Sequence, residues 1–369
     1  MFFNAHFHKK QYLIGKGENR RECFYTLQYS VVYVMQKLIN DPDDYVDEML
    51  DGMVSAYPER LTRIDDTKVL TRNSLIDGKV GIVTGGGSGH EPTHAGYIGD
   101  GMLDGAAAGE VFTSPTADEL DTLTQACDTG AGVLCVVKNY EGDVMNFDTA
   151  AEMAEIEDVT VEQIVVDDDV AVEDSLYTSG RRGVCGTIFV HKAVGAKAAA
   201  GGSLEEVAAV GEKVIDNVGT MGMALTSCVT PAKGEETFDL GEDEIELGIG
   251  IHGEPGTERS DQLSAEEVGT HLTENVLADL DPAAGTEVAV IVNGMGGTPL
   301  SELFIVNNAV QSTLEEHELI TWETMVGDYM TSLDMRGCSV TVCTVDDELK
   351  ELLAAPADTP ALTRAGDDE

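Results

Sequence analysis

Short runs rich in β-branched residues alternate with helix-length amphipathic segments, and this alternation constrains the fold more than any other feature. Runs at Val80–Thr84, Val133–Val137 and Ile164–Val166 are spaced in this way. The spacing predicts βαβ units, and hence a largely parallel sheet with helices on both faces. Ser203–Glu206 matches a capping box and predicts a helix that continues to Val218. We therefore expect a first α/β domain with three layers and a mainly parallel sheet.

The second half of the chain repeats the pattern without repeating the sequence. We predict four further strands and one long helix there: Met223–Val229, Glu244–Ile251, Glu287–Val292, Ser339–Val345 and the helix from Pro299 to about Leu319. These elements predict a second α/β domain with a smaller, mixed sheet and helices. We place the two domains at residues 35–218 and 219–369.

The charge balance is extreme, since 68 Asp and Glu residues face 22 Lys and Arg residues and leave a net charge of −46. Such a surface repels nucleic acid and anionic lipid, so we expect neither as a partner. The acids are dispersed among apolar patterns, which favours a solvated surface over a disordered tail. Screening at molar salt confines the repulsion between such charges to about 3 Å. We infer a halophilic source, a halophilic archaeon.

The seven cysteines are scattered and form no C-x-x-C pair. This distribution indicates neither a disulfide framework nor a zinc site, and we expect several of them to be core thiols. No apolar stretch reaches the roughly 18 residues that cross a bilayer, and no signal-peptide pattern opens the chain. We expect a cytoplasmic protein.

Residues 1–34 differ in composition from the rest, with five basic residues against two acidic ones and eight of the twenty aromatic residues. One interpretation is a targeting or partner-binding arm, although helical periodicity and a cleavage site are missing. The other is a start codon placed too far upstream, with Met35 as the true first residue. We favour the second, and treat residues 1–34 as an N-terminal extension.

The stretch GGGSGHEP, residues 85–92, follows a predicted strand. It does not match the dinucleotide pattern G-x-G-x-x-G, because His90 stands where the last glycine is needed, and no Gly-Lys pair is followed by Ser or Thr. What remains is a strand ending in a glycine turn, whose bare backbone could approach a small ligand, with His90 and Glu91 where the next helix begins. The alternative is a structural turn with an incidental histidine.

Two further strand ends carry polar side chains. In IGIHGEPG, residues 249–256, a second histidine lies between glycines, and a buried neutral imidazole at His252 could attack a carbonyl carbon. The two histidine-bearing strand ends suggest two walls of one cleft. In VVKNYEGDVMNF, Asp143 could accept a proton from a hydroxyl and Lys138 could hold an oxygen or a phosphate. Taken alone, both charges are also ordinary in a loop.

Other titratable clusters are open to two interpretations. The acidic triplet Asp167–Asp169 could bind a metal or form a solvated turn; we favour the turn, with Arg181 and Arg182 as partners of these acids or of a neighbouring subunit. His94 follows His90 by four residues, but no third metal ligand is evident. We expect hydrogen bonding there, predict no metal site, and assign no role to His191.

Seven segments, in order and across essentially all of residues 35–369, resemble the dihydroxyacetone kinase K subunit family (the DhaK family). They are MQKLIND from Met35, GGGSGHEP, GEVFTSPT, VVKNYEGDVMNF, DDDVAVEDSLYTSGRRG, GIHGEPG and TSLDM at 331–335. The family's chain begins at the position of Met35, which agrees with the composition break. A shorter stretch after Gly256 and the acidity depart from the family's pattern.

The resemblance implies a two-domain α/β homodimer in which His252 binds dihydroxyacetone covalently as a hemiaminal. It further implies that His90 and Asp143 act as acid and base. The substrate-binding positions that it implies are Gly86, Gly87, Ser88, Gly89, His90, Lys138, Asp143 and His252. Covalent capture selects a carbonyl compound over glycerol, which has no carbonyl group.

The phosphoryl donor is expected on other chains, because no loop for donor phosphates is visible and no cofactor is predicted here. The resemblance implies a separate L-type (DhaL-like) subunit with ADP or ATP and Mg²⁺, rephosphorylated from phosphoenolpyruvate by a phosphohistidine-carrying DhaM-like subunit. A second hypothesis is a non-catalytic regulatory paralogue, a co-activator that senses dihydroxyacetone for a transcription factor. His90 and Asp143 favour the enzyme subunit, since a sensor needs no base for the terminal hydroxyl.

Overall fold

A computed structural model describes residues 37–172, 179–241 and 243–366, which contain two six-stranded sheets. The proposed N-terminal extension, Met35 and Cys23 lie outside the described residues. No helix in the described part of the chain is both long enough and apolar enough to cross a membrane.

Eight α-helices and fourteen strands are assigned in these ranges. The helices are α1 (Tyr45–Ala56), α2 (Ala117–Cys127), α3 (Glu141–Ile156), α4 (Thr187–Ala199), α5 (Leu204–Ile215), α6 (Ala265–Leu280), α7 (Leu300–Glu316) and α8 (Asp347–Ala354). The first sheet contains β1 (Leu61–Arg63), β2 (Val69–Arg72), β3 (Gly81–Ser88), β4 (Gly105–Val111), β5 (Val133–Lys138) and β6 (Val161–Val166). The second contains β7 (Val218–Ala224), β8 (Glu244–Leu247), β9 (Glu258–Asp261), β10 (Glu287–Gly294), β11 (Ile320–Gly327) and β12 (Gly337–Thr344), and β13 (Ala357–Asp358) pairs with β14 (Thr363–Arg364).

The first sheet has the order β1-β2-β4-β3-β5-β6, with β4, β3, β5 and β6 parallel and β1 and β2 antiparallel. Alternate residues of β5 enter different cores: Leu134 and Val136 pack with α4 and α5, while Val133, Cys135 and Val137 pack with α2 and α3. A strand buried on both faces reads as a continuous apolar run. The predicted three-layer, mainly parallel arrangement is confirmed.

The helix predicted from the capping box at Ser203–Glu206 is α5, and both reciprocal hydrogen bonds of the box are present. It ends at Ile215, earlier than predicted. Val218 begins β7 instead, because its backbone pairs with Cys343 of β12. Val218 thus keeps the helical spacing of the preceding valines by coincidence, although it belongs to a buried strand.

The second sheet has the order β11-β10-β12-β7-β8-β9, in which β10 and β11 are parallel and the other neighbours antiparallel. It has as many strands as the first sheet, although we expected a smaller one. β7 lies earlier than the predicted Met223–Val229. β8 stops at Leu247, before the predicted Ile251, because Gly248 adopts φ +73° and turns the chain. Helices α6 and α7 cover one face of this sheet.

The other face of the second sheet shares a core with elements of the first half. Ala289, Ile291 and Cys343 belong to the same cluster as α4, α5 and α8. Near its C-terminal end the chain returns to the first half, where Asp358 forms a bridge with Asp100 and an ion pair with Arg60. The division into residues 35–218 and 219–369 stays a prediction.

The six cysteines in the described ranges are buried and unpaired, as expected for core thiols. Burial raises the pKa of every one of these thiols. They are therefore protonated and unreactive at neutral pH.

Candidate functional site

The glycine-rich stretch does not form the predicted turn, because Gly85–Ser88 continue β3 and pair with β4. A side chain on these glycines would collide with protein atoms. A Cβ at Gly86 would meet the Lys138 ammonium, and one at Gly87 would lie 2.6 Å from the Thr113 backbone nitrogen. The glycines therefore admit neighbouring parts of the chain to the end of β3.

Phe112 is another neighbour that the glycines admit. A Cβ at Gly89 would lie 2.8 Å from the Phe112 ring. Phe112 itself has φ +57°, a left-handed conformation that bulky residues rarely adopt and that often marks a functional site. Its ring stacks on His90 with centroids 5.1 Å apart. Sequence reasoning missed this residue, since nothing local marks it beyond its place in GEVFTSPT.

His90 is fully buried. The expectation that an α-helix begins beside it is wrong, since no α-helix is assigned between β3 and β4. Its Nδ1 lies 2.8 Å from the carbonyl oxygen of Thr331. A carbonyl only accepts, so Nδ1 carries the proton and Nε2 keeps its lone pair. Nε2 has no hydrogen-bond partner among the described residues. Burial, followed by the charges of His252 and Lys138, lowers the His90 pKa well below its usual value. The ring is a neutral acceptor at physiological pH.

His252 follows β8 and is held by Glu254. The Nδ1 atom of His252 lies 2.8 Å from Glu254 Oε1, and its backbone N–H donates to Oε2 over 2.9 Å. Burial opposes ionisation of Glu254, but His252 and Arg182 outweigh it and lower the Glu254 pKa to about 2. An ionised carboxylate only accepts, so Nδ1 of His252 carries the proton. The lone pair is then on Nε2, the nucleophilic position.

Three rings surround the His252 imidazole, all edge to face. Their centroids lie 4.8 Å (His90), 5.3 Å (Phe112) and 4.6 Å (Tyr140) from that of His252. The His252 side chain keeps 16% of its surface exposed. The nucleophile is thus fixed in orientation and still reachable from solvent.

Lys138 ends β5, and its ammonium is buried between His94 and Asp143. Nζ lies 3.0 Å from His94 Nε2 and 3.4 Å from Asp143 Oδ2. Asp143 sits in the first turn of α3, where the helix dipole stabilises a carboxylate. The His90 and His94 rings both make hydrogen bonds, as we had favoured over a metal pair.

The segment TSLDM joins the two histidine-bearing loops. On one side, the Thr331 and Leu333 N–H groups donate to the carbonyls of His90 (3.2 Å) and Gly89 (2.7 Å). On the other, the Ser332 hydroxyl donates to the Ile251 carbonyl over 2.6 Å. These bonds fix the distance between His90 and His252.

A cavity of 1310 Å³ opens beside this cluster and is lined by Gly87, Asp143 and His252 among the predicted residues. Gly86 and Ser88 line a separate recess of 20 Å³. The Ser88 hydroxyl is already used, since it donates to the Gly109 carbonyl over 2.7 Å.

Two of the three acids in the predicted solvated turn are buried, contrary to our expectation, whereas Asp167 is exposed. Asp168 is buried and accepts the N–H groups of Val184 and Gly186. Asp169 is buried and pairs with Arg182, which confirms one predicted partner. Arg181 instead pairs with Asp279 on α6.

His191, to which we had assigned no role, is buried in α4. Its ring centroid lies 5.4 Å from that of His94. Neither of its nitrogens has a hydrogen-bond partner in the described ranges.

Comparison with known proteins places this site in a family. The model of the Dak1 domain matches residues 51–361. The chain is 51% identical over 328 residues to the dihydroxyacetone-binding subunit of a PTS-dependent dihydroxyacetone kinase of Listeria innocua, covering 89% of this chain and 100% of the relative. It is 42% identical over 352 residues to the corresponding subunit of the PEP-dependent kinase of Escherichia coli, covering 89% and 99%.

Solved structures give the same result. The dihydroxyacetone kinase operon co-activator Dha-DhaQ superposes with a TM-score of 0.83 at 35% identity, over 89% of this chain and 100% of that one. The dihydroxyacetone kinase of C. freundii in complex with AMP-PNP and Mg²⁺ gives 0.82 at 34% identity, over 89% of this chain and 61% of that longer one. From these matches and from the two histidine-bearing loops, we conclude that this chain belongs to the Dak1 domain family, the family of dihydroxyacetone-binding kinase subunits.

Proposed function

We propose that this chain is the substrate-binding subunit of a dihydroxyacetone (glycerone) phosphotransferase and that it holds dihydroxyacetone covalently on His252. The observation that carries the proposal is the hydrogen bond from His252 Nδ1 to Glu254, which leaves the lone pair on Nε2. His252 lines the cavity and keeps 16% of its side-chain surface exposed, so a ligand that enters the cavity can contact its ring.

The covalent step is an addition that releases nothing. Nε2 forms a bond to the carbonyl carbon, and the π electrons of the C=O bond move to oxygen. That oxygen takes up one proton, and Nδ1 gives up one, for which Glu254 Oε1 is the adjacent acceptor. The product is a hemiaminal that keeps all atoms of dihydroxyacetone. Glycerol has no carbonyl group and cannot form the hemiaminal. Covalent capture therefore discriminates between two molecules that are too small and too similar to be distinguished by shape.

The phosphorylated hydroxyl needs a group to take its proton. His90 contributes an unpaired Nε2 beside His252, and Asp143 contributes a carboxylate on the cavity wall. Lys138, paired with Asp143 at 3.4 Å, adds a positive charge that would stabilise developing negative charge on a substrate oxygen. We assign acid and base roles to His90 and Asp143.

We place the phosphoryl donor on a separate L-type (DhaL-like) subunit that carries ADP or ATP and Mg²⁺. The names of the two relatives from Listeria and Escherichia, PTS-dependent and PEP-dependent, support a phosphohistidine relay from phosphoenolpyruvate through a DhaM-like subunit. The cavity volume of 1310 Å³ leaves space for a donor group beside a three-carbon sugar. We place the assembly in the cytoplasm.

We also propose a homodimer. β11 is an edge strand of the second sheet, and Ile320 at its start is 52% exposed. Phe304 of α7, also 52% exposed, lines a groove with Met325 of β11. A second copy pairing along this edge would satisfy its backbone groups and cover these side chains. Analytical sedimentation tests this proposal. We expect the wild type to be a dimer and Phe304→Glu to dissociate more readily into monomers. A monomeric wild type contradicts the proposal.

Phosphorylation assays test the main proposal. Purified chain with dihydroxyacetone, Mg²⁺ and ATP is expected to form no dihydroxyacetone phosphate. Addition of the L-type and DhaM-like subunits with phosphoenolpyruvate is expected to start its formation. Product from the isolated chain contradicts the division of labour between subunits.

The second candidate function is the non-catalytic co-activator, favoured by the superposition with Dha-DhaQ. It predicts covalent capture of dihydroxyacetone without phosphorylation in the full assay. The same reaction mixture therefore separates the two functions.

A further inference from the structure

A buried row of charged side chains leads from the end of the first sheet to His252. It comprises Asp169, Arg182, Glu254 and His252 in that order. The first three are at most 2% exposed. Sequence reasoning identified Arg182 as a partner of the acidic turn or of a neighbouring subunit, and assigned no role to Glu254.

Arg182 is tied down at two of its three nitrogens. Nε donates to Asp169 Oδ2 over 2.7 Å, and Nη2 donates to the Gly248 carbonyl over 2.8 Å. Nη1 is buried without a hydrogen-bond partner among the described residues. Burying a polar donor without a partner is unfavourable. The burial of Nη1 therefore suggests that its charge acts on a neighbouring group.

Gly250 shows where Nη1 lies. A Cβ on Gly250 would meet Glu254 Oε2 and would lie 2.7 Å from Arg182 Nη1. The cationic nitrogen and the carboxylate therefore border the same small space, which any residue other than glycine would fill. They are not a direct ion pair, and Glu254 keeps both oxygens for the His252 ring and backbone.

We infer that Arg182, held in place by Asp169, is a positioning residue for covalent capture. Its charge keeps Glu254 an ionised acceptor, and Glu254 thereby holds His252 in the tautomer whose Nε2 is the nucleophile. The inference rests on the proposed hemiaminal and adds a residue that does not touch the sugar.

The electrostatics support this arrangement. A carboxylate buried without a nearby cation takes up a proton, and a protonated Glu254 could donate to Nδ1 as well as accept from it. His252 would then populate both tautomers. Asp169 holds Arg182 away from a direct ion pair with Glu254. Without Asp169, a mobile Arg182 could bind the Glu254 carboxylate and displace His252 from it.

The alternative is a purely structural role, in which Arg182 only ties the acidic turn to the Gly248 carbonyl. That role predicts a loss of stability without a change in the His252 tautomer. A test therefore needs a readout at the imidazole itself.

The experiment compares Arg182→Met with Arg181→Met, a neighbouring arginine paired on the surface with Asp279. Because Arg182→Met leaves Asp169 buried without its partner, Arg182→Met/Asp169→Asn is measured beside it. Nitrogen chemical shifts of labelled histidine report the His252 tautomer in ligand-free protein. Titration with carbonyl-labelled dihydroxyacetone reports the adduct and its dissociation constant.

We expect the Nδ1–H tautomer to lose population in both Arg182 variants and the dissociation constant to rise roughly tenfold or more, the equivalent of one pKa unit. Arg181→Met should match the wild type in both readouts. A folded Arg182 variant with the wild-type tautomer and affinity overturns the inference. If neither variant folds, Arg182→Lys, which keeps a charge near Asp169 but has no Nη1, should show a smaller loss of the same sign; a wild-type tautomer there overturns it as well.

The proposed function and the inference fail in different ways. A wild-type protein that forms no adduct contradicts the hemiaminal, while its His252 tautomer still shows whether Arg182 acts through Glu254.

Discussion

The rings of His90 and His252 meet edge to face with 4.8 Å between centroids, although one follows a strand of the first sheet and the other a strand of the second. The hydrogen bonds of each ring place its proton on Nδ1, so both present an Nε2 lone pair. One nitrogen is in position to capture a carbonyl, and the other can accept a proton from the captured molecule.

Covalent capture should be visible directly. Protein saturated with dihydroxyacetone is expected to gain the mass of one whole molecule, without loss of water, at His252. His252→Asn should gain nothing, and glycerol should leave the wild type unmodified. A saturated wild-type protein whose density or mass shows an unmodified His252 contradicts the proposal.

Asp143→Asn should separate binding from turnover. The amide keeps the shape of the carboxylate but cannot take up a proton, so we expect near wild-type affinity for dihydroxyacetone and a turnover lower by about 10²-fold or more. Measurement uses the reconstituted assay together with direct titration. Equal losses in affinity and rate would indicate that Asp143 only holds the site together with Lys138.

Gly86→Ala should disturb Lys138 without unfolding the chain, because the added methyl meets the flexible end of that side chain. We expect the Lys138 contacts with His94 and Asp143 to be lost and turnover to fall at least tenfold, an effect of about 1.4 kcal/mol on the barrier. Gly52→Ala in α1, where a Cβ meets nothing within 4 Å, is the matched control and should raise stability by roughly 0.5–1 kcal/mol. Wild-type turnover in Gly86→Ala would argue against a role for Lys138.

His191 should make the protein sensitive to acid. Burial lowers its pKa from the usual 6.5 to about 3, so between these values the unfolded chain binds a proton that the folded chain does not. Stability therefore falls as pH drops from 6.5 towards 3, with a slope of up to about 1.4 kcal/mol per pH unit. In denaturant titrations His191→Met should reduce that slope by about this amount. An unchanged slope would mean that the folded protein accommodates a charged His191.

Low salt should destabilise the protein. The net charge of −46 means that negative charges repel one another across the surface. Dilution from about 1 M to about 0.01 M salt extends the range of that repulsion from about 3 Å to about 30 Å. We expect the melting temperature to rise steeply with KCl, and more than with an equal concentration of sucrose. A melting temperature that is flat with salt would count against the halophilic source, which stays a prediction.

The chemistry-bearing residues were predictable where they stand in a local pattern. His90, Lys138, Asp143 and His252 each follow or end a strand in the sequence. The three strands concerned, β3, β5 and β8, all end near one cavity. The layered fold was predictable for the same reason, since periodicity is a local property.

What sequence reasoning missed depends on long-range contacts. Arg182 and Glu254 border the same small space at Gly250, and the Phe112 ring stacks on His90 from the end of a neighbouring strand. Asp168 was expected in solvent because its sequence context is polar. It is buried instead, and its carboxylate accepts two backbone N–H groups from a distant segment. No pattern within a single segment contains such relationships.

The glycines at the end of β3 make room for Lys138, Thr113 and Phe112, which are parts of the protein itself. These positions therefore require glycine because of contacts within the protein, whichever sugar is bound. Residues 230–233, by contrast, line the same cavity and are not among the close neighbours of these glycines. Substitutions at residues 230–233 can therefore alter the lining that a ligand meets, whereas a larger residue in the glycine stretch would displace Lys138, Thr113 or Phe112 whichever sugar is bound.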